Sequence, residues 1–232
     1  MSFAARPIGL VKGEFVFVDV ITSDVTNYNL RARAVAAGWD QVVPLVATTT
    51  VNSGIVLSAD STSQYAFDTG ATFPAGTTLT LINNGFVIGM GGAGGAAYKA
   101  GSNGGPALRA QYAISIDAAG GVIGGGGGGG GGNKSGGGGG GGRSGRTNAA
   151  GGDGGASGTF SSGGSGGGGG GGAGGTTGPG EAGSWGGGGG GGGWGASGGS
   201  TGTYAGGTGG AAVVGNSYIT WINTGTRYGD IT

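Results

Sequence analysis

The chain has 232 residues, 72 of them glycine, where glycine makes up roughly 7% of an ordinary protein. Ten acidic and ten basic residues leave a formal net charge of zero, and there is no cysteine and no histidine. These counts exclude a disulfide framework, a thiolate or imidazole catalyst and a Cys/His zinc site, and the zero net charge argues against a polyanion binder held by phosphate neutralisation. Five prolines and unbroken glycine runs exclude collagen as well.

The N-terminus lacks a basic region followed by a long apolar core, so no secretory signal is expected. No stretch approaches the ~18 apolar residues of a membrane span. Composition divides the chain into residues 1–88, a glycine-rich segment 89–212, and residues 213–232. In the first part, Glu14 to Ile21 alternates apolar and polar residues and predicts a strand. Asn27 is placed to cap a short helix through Leu30, Ala34 and Ala37, with Gly38 just past its end. Val42–Val51, Gly54–Leu57 and Thr77–Ile82 read as further strands, and Asn83-Asn84-Gly85 reads as a turn. This module is small for an independent core.

The glycine segment reads on composition alone as a flexible linker. An internal repeat argues for order. Residues 79–95 (LTLINNGFVIGMGGAGG) and 114–130 (ISIDAAGGVIGGGGGGG) each carry an apolar alternation, a small turn, V-I-G and a glycine run. Both runs are therefore expected to leave in the same direction. Each residue of a run carries an N–H and a C=O that must be paired if buried. A polyproline-II-like strand, with three residues per turn and no internal hydrogen bonds, points these groups sideways in three directions. Strands packed side by side can then bond one another, and a side chain on any inner strand would block the approach. Gly124–Gly132, Gly136–Gly142, Gly166–Gly172 and Gly186–Gly193 suit such a slab, spanning about 22 to 28 Å each.

The punctuation then becomes loops at two ends. Alternating directions puts 96–103, 133–135, 156–165 and 194–205 at the end far from the β part, and 143–150 and 173–184 at the near end. The last run, Gly206 to Gly210, returns, so residues 213–232 add a strand to the β part. The far loops carry Tyr98, Lys99, Asn103, Asn133, Lys134, Phe160, Trp194 and Tyr204, and aromatics on a rigid scaffold suit recognition. Trp185 and Trp194 equally suit packing flat on the glycine slab.

Catalytic motifs are absent or accidental. Gly128 to Ser135 looks like a phosphate loop but has Asn133 where glycine must precede the lysine. Gly163 to Gly167 fits G-x-S-x-G, but no histidine exists to activate Ser165. Asp117, Asp153 and Glu181 are scattered and form no metal-spaced cluster. Arg143 and Arg146 suit solvation or bonds to loop carbonyls better than a phosphate site. No enzyme activity, metal or cofactor is expected.

Four stretches carry a resemblance. They are N-Y-N-L with A-A-G-W (Asn27 to Trp39), N-N-G-F-V-I-G-M-G-G-A-G-G (Asn83 to Gly95), I-D-A-A-G-G-V-I-G (from Ile116) and W-I-N-T-G-T-R-Y-G (Trp221 to Gly229). Over about residues 27–232 the chain resembles the glycine-rich adhesins at the tips of T-even-type long tail fibres. The resemblance implies a mainly β/irregular fold: a small β-rich N-terminal module with one short helix, then a polyglycine-II sandwich, closed by a C-terminal strand. It implies a virion protein, made in the host cytoplasm, whose loops bind a bacterial outer-membrane porin or lipopolysaccharide. It also implies a tail fibre or tail-tip protein as partner, with neither nucleic acid nor membrane insertion. A structural tail-tip cap is the alternative, and an ice-binding slab a distant third, since Thr147, Thr176 and Thr177 form no regular rows. Residues 1–26 depart from the family in showing no long attachment domain.

Overall fold

The computed structural model describes residues 6–7, 13–133, 139–145, 148–152, 155–168, 171–184 and 186–232. The protein is mainly β, with one α-helix among these residues.

Three sheets form one platform. The long sheet aligns Arg6–Pro7, Phe15–Ile21, Leu45–Val51, Thr78–Asn83, Ile114–Asp117 and Ile219–Asn223 in that order. The second sheet holds Val25–Thr26, Val56–Ser58, Phe86–Ile88, Val122–Gly124 and Thr226–Tyr228, and the short sheet Tyr28–Asn29, Phe67–Asp68, Leu108–Arg109 and Val213–Val214. All pairings between these named strands are parallel except that of Arg6–Pro7 with Phe17 and Val18. The chain visits the long, second and short sheets in the same order on every circuit, which makes a parallel β-solenoid.

Alternation supplies the core. Leu79, Leu81, Ile114 and Ile116 point inward from neighbouring strands in register. Phe17, Leu45, Leu57, Phe67, Leu108 and Val213 join them from the other coils and sheets. Asp19 is one of several polar residues buried among the described residues. Its carboxylate accepts from the Tyr28 hydroxyl at 3.0 Å and pairs with Arg33 at 3.0 Å. Burial and the adjoining Asp19 carboxylate push the Tyr28 phenol well above its ordinary range, so it stays a donor.

The helix spans Leu30–Ala36 and is capped by Asn29, whose side chain accepts from Ala32 N at 2.9 Å. The cap is thus two residues later than expected. Asn27 instead holds a left-handed turn at φ 52° and accepts from Asp60 N. The turn at Asn83–Gly85 is a solenoid corner handing the chain from the long sheet to the second, with Gly85 N bonded to Asn83 Oδ1.

The glycine segments are insertions at one corner of the solenoid. The link from second to short sheet is a single residue, Asn27, in the first coil and residues 59–66 in the next. It is 89–107 in the third coil and 125–212 in the fourth. The compositional boundary at residue 89 therefore cuts through the platform, because Leu108–Arg109, Ile114–Asp117 and Val122–Gly124 lie in its sheets.

Both glycine runs leave side by side. Gly89, Gly92 and Gly95 donate to Gly124, Gly127 and Gly130 in turn. Along the second run the partners repeat every third residue. Gly126, Gly129 and Gly132 donate to Gly105, Ser102 and Lys99; Gly127 and Gly130 to Arg143 and Gly140; Gly128 and Gly131 to Ala196 and Gly199. The run thus donates to three neighbouring segments, and it accepts from Gly89–Gly95, from Gly189, Gly192 and Gly195, and from Gly207 and Gly210 on others. A Cβ added at Gly130 would lie 2.0 Å from Gly189 O, and at Gly128 1.9 Å from Gly207 O.

Candidate distal recognition surface

The hydrogen bonds fix the direction of each later segment. Gly139 donates to Gly95 and Gly142 to Gly92, so this segment returns toward the platform, where Gly145 abuts Ser58. Gly152 donates to Gly139 at the far end. Ser144 N then bonds Thr159 O, so residues 155–159 come back and turn at 160–162 beside the platform. Residues 163–168 go out and 171–175 return, with Gly166 bonded to Gly172 and Gly163 to Gly175. Gly195 bonds Gly125 near the platform, and Gly131 N bonds Gly199 O on the next outward segment.

The far end therefore contains Tyr98, Lys99, Asn133 and Tyr204. Tyr98 is 52% exposed, in a left-handed turn at φ 62° closed by Lys99 N on Ala96 O. Its ring meets that of Tyr204 edge to face, centroids 6.2 Å apart. Tyr204 follows a turn in which Thr201 N bonds Tyr204 O. Asn133 donates to Gly187 O. Asn103 lies on the returning segment, exposed, its side chain accepting from Thr208 N at 2.9 Å. Lys134, Arg146, Asp153 and Trp185 lie outside the described residues.

Phe160 and Trp194 were expected at the far end, and the structure places them at the platform. Trp194 is 5% exposed and donates from its indole to Ser144 O. Phe160 packs edge-on against it at 5.2 Å and against Phe86 at 5.2 Å. Tyr228 closes the cluster, 6.0 Å from Trp194. The reason is a miscounted path. Gly166–Gly172 reads as one straight run, but it contains a reversal, with Gly168 at φ 86° and Gly171 N bonded to Gly168 O. Residues 155–159, which read as loop because they hold Ala, Ser and Thr, are a lattice segment. Of the two roles open to Trp194, the geometry takes packing.

Arg143 joins this cluster. Its guanidinium donates to Phe160 O at 2.6 Å and to Thr176 O, the carbonyl bonds expected of it. It also lies 3.4 Å from the Trp194 ring centroid. Burial lowers its pKa from the usual value. Sequence reasoning missed that stacking, although the place of Arg143 directly after a glycine run was a signal. Among the described residues no acidic cluster could hold a metal ion, and no helix is long and apolar enough to cross a membrane.

A family model for the phage tail fibre adhesin Gp38 matches residues 16–232. No curated protein matches the chain significantly. A chain in the crystal structure of the gp37–gp38 adhesin tip complex of the bacteriophage S16 long tail fiber has a similar fold. The TM-score is 0.67 and the identity 24%, covering 93% of this chain and 82% of that one.

Proposed function

The chain belongs to the phage tail fibre adhesin Gp38 family, and from that membership we propose that it reads a bacterial outer-membrane receptor, a porin-like protein or lipopolysaccharide, through the far end of its glycine segments. The carrying observation is the Tyr98–Tyr204 pair. It stands at the end of a side-chain-poor scaffold whose backbone is hydrogen-bonded on several sides. Rigid rings give contact area with little ordering cost. Lys99 and Asn133 flank them as polar contacts, with Lys134 next in sequence. The reading makes the protein a binding module with no catalytic step or cofactor.

The glycine segments are proposed to be polyglycine-II helices. The support is the three-residue period with which donors of Gly126–Gly132 revisit the same neighbour. The solenoid is the part proposed to seat on a tail fibre protein, leaving the glycine segments to project toward the host from the virion. The similar chain of the S16 fiber belongs to a gp37–gp38 adhesin tip complex, which supports such a pairing.

A fluorescent fusion of the protein tests the reading on Gram-negative strains that include the phage's host, with porin-deleted and lipopolysaccharide-truncated derivatives. Saturable labelling lost with one deletion is expected. The Tyr98→Ser/Tyr204→Ser double variant should lose at least ten-fold in binding at unchanged Tm. Absence of labelling on the host would overturn the receptor reading in favour of a structural cap.

A further inference from the structure

A glycine lattice has an ambiguity that side chains normally remove. Every residue of a run is chemically the same, so sliding a run by three residues restores its hydrogen bonds with equivalent partners. Register in glycine-rich strands is weakly specified for this reason. Only what stands at the ends of a run can distinguish one register from the next.

Two runs end at the platform on large side chains. Arg143 follows Gly136–Gly142, and Trp194 follows Gly186–Gly193. The Trp194 indole sits among Phe86, Phe160 and Tyr228, and bonds Ser144 O. Phe86 and Tyr228 belong to platform strands, so this cage ties the lattice to the solenoid. Arg143 stacks on the indole and donates to carbonyls of two further turns, at Phe160 and Thr176.

Sliding in either direction is opposed. One way would carry Trp194 into lattice positions such as that of Gly191, where even a Cβ would meet Gly141 O at 1.8 Å. The other way would draw the indole out of its cage and break its bond to Ser144. We infer that Arg143 and Trp194 form a register lock that holds the glycine runs in one of several otherwise equivalent alignments to the solenoid. They are thereby positioning residues for the far-end turns. That consequence for recognition rests on the function proposed above; the lock itself does not.

The chain has no cysteine, so a spin-label pair can be placed without background. Gly183 N bonds Ser200 O and Asn133 donates to Gly187 O, so Ser184 lies at the far end rather than the near end expected for 173–184. Ser184→Cys there and Ser63→Cys on the exposed solenoid link 59–66 put one label on each part. Pulsed electron paramagnetic resonance should give one narrow distance distribution in the otherwise unaltered protein. Trp194→Gly, and the milder Arg143→Gln, should each add a second population displaced by about 9 Å, three residues at ~3.1 Å each. Glycine amides should stay slow to exchange in both. A single undisplaced distribution in the folded variants would overturn the lock. So would loss of amide protection without a displaced population, which would mean that these residues only stabilise. A slipped population that still labels cells fully would leave the lock standing and count against the far-end recognition reading.

Discussion

Glycine acts in this protein by what it lacks. At Gly128 a Cβ would stand 1.9 Å from Gly207 O and at Gly130 2.0 Å from Gly189 O, both backbone atoms that cannot swing aside. At Gly178 nothing lies within 4 Å of the added carbon, and its φ is not left-handed. Gly128→Ala should therefore force neighbouring segments apart and cost about 3 kcal/mol, at the upper end of overpacking penalties. Gly178→Ala should be neutral, or stabilise by about 0.5 kcal/mol through a less flexible unfolded chain. Thermal melts of the two variants side by side check this; equal losses would mean that crowding is not what selects glycine. The non-glycine residues obey the same rule. Ala156, Ser157, Ser165, Ala173, Glu181, Ser197, Ala205 and Thr208 are all exposed, whereas Gly124–Gly132 is buried along its length. Apart from buried exceptions such as Ala149, a side chain in this region marks a position that faces water.

At the scale of elements, the first coil is held by a polar knot. Asp19 from the long sheet accepts from Tyr28 of the short sheet and from Arg33 of the helix, and Tyr28 also reaches Thr49 at 3.0 Å. Removing the carboxylate in Asp19→Ala strips Tyr28 of one partner and leaves Arg33 without its ion pair. Breaking a fully buried pair costs about 3–5 kcal/mol, but the Arg33 side chain is 41% exposed and can turn to water. A loss nearer ~2 kcal/mol is expected in urea unfolding, and Arg33→Gln should cost less than half of that. The strands that supply Asp19 and Thr49 were legible in the alternation of Glu14 to Ile21 and in the valine and threonine of Val42–Val51. The internal repeat also foretold that both glycine runs leave together, as Gly89 beside Gly124 shows. Two-residue strands such as Phe67–Asp68 and Leu108–Arg109 are too short for periodicity to register. The closed circuit of three sheets was hidden for a related reason, since parallel coils pair residues far apart in sequence, as Leu79 with Ile114. Reversals inside pure glycine were invisible, because Gly168 and Gly171 carry the same letter as the straight segments around them. Counting straight runs therefore puts Phe160 and Trp194 at the wrong end.

The whole molecule is a solenoid carrying a backbone-bonded lattice on one corner, and the two parts store stability differently. The solenoid has apolar side chains to bury. The lattice has few, and its order depends on hydrogen bonds satisfied by neighbours on several sides. Depth within the lattice should then set local stability. Each amide from Gly125 to Gly132 has a backbone partner on a surrounding segment. The segment 171–184 also bonds, through Gly172, Gly175, Gly180, Glu181 and Gly183, but much of it is exposed. Hydrogen exchange followed by mass spectrometry should find a gradient. Residues 171–184 should open by local fluctuation, while Gly125–Gly132 should exchange only as slowly as the solenoid strands that flank them. Uniformly fast exchange across 125–212 would make this region a linker and remove the scaffold from under Tyr98 and Tyr204. Equal protection of inner and outer segments would mean that the lattice opens as one body, with contacts to the solenoid, rather than depth, limiting its opening.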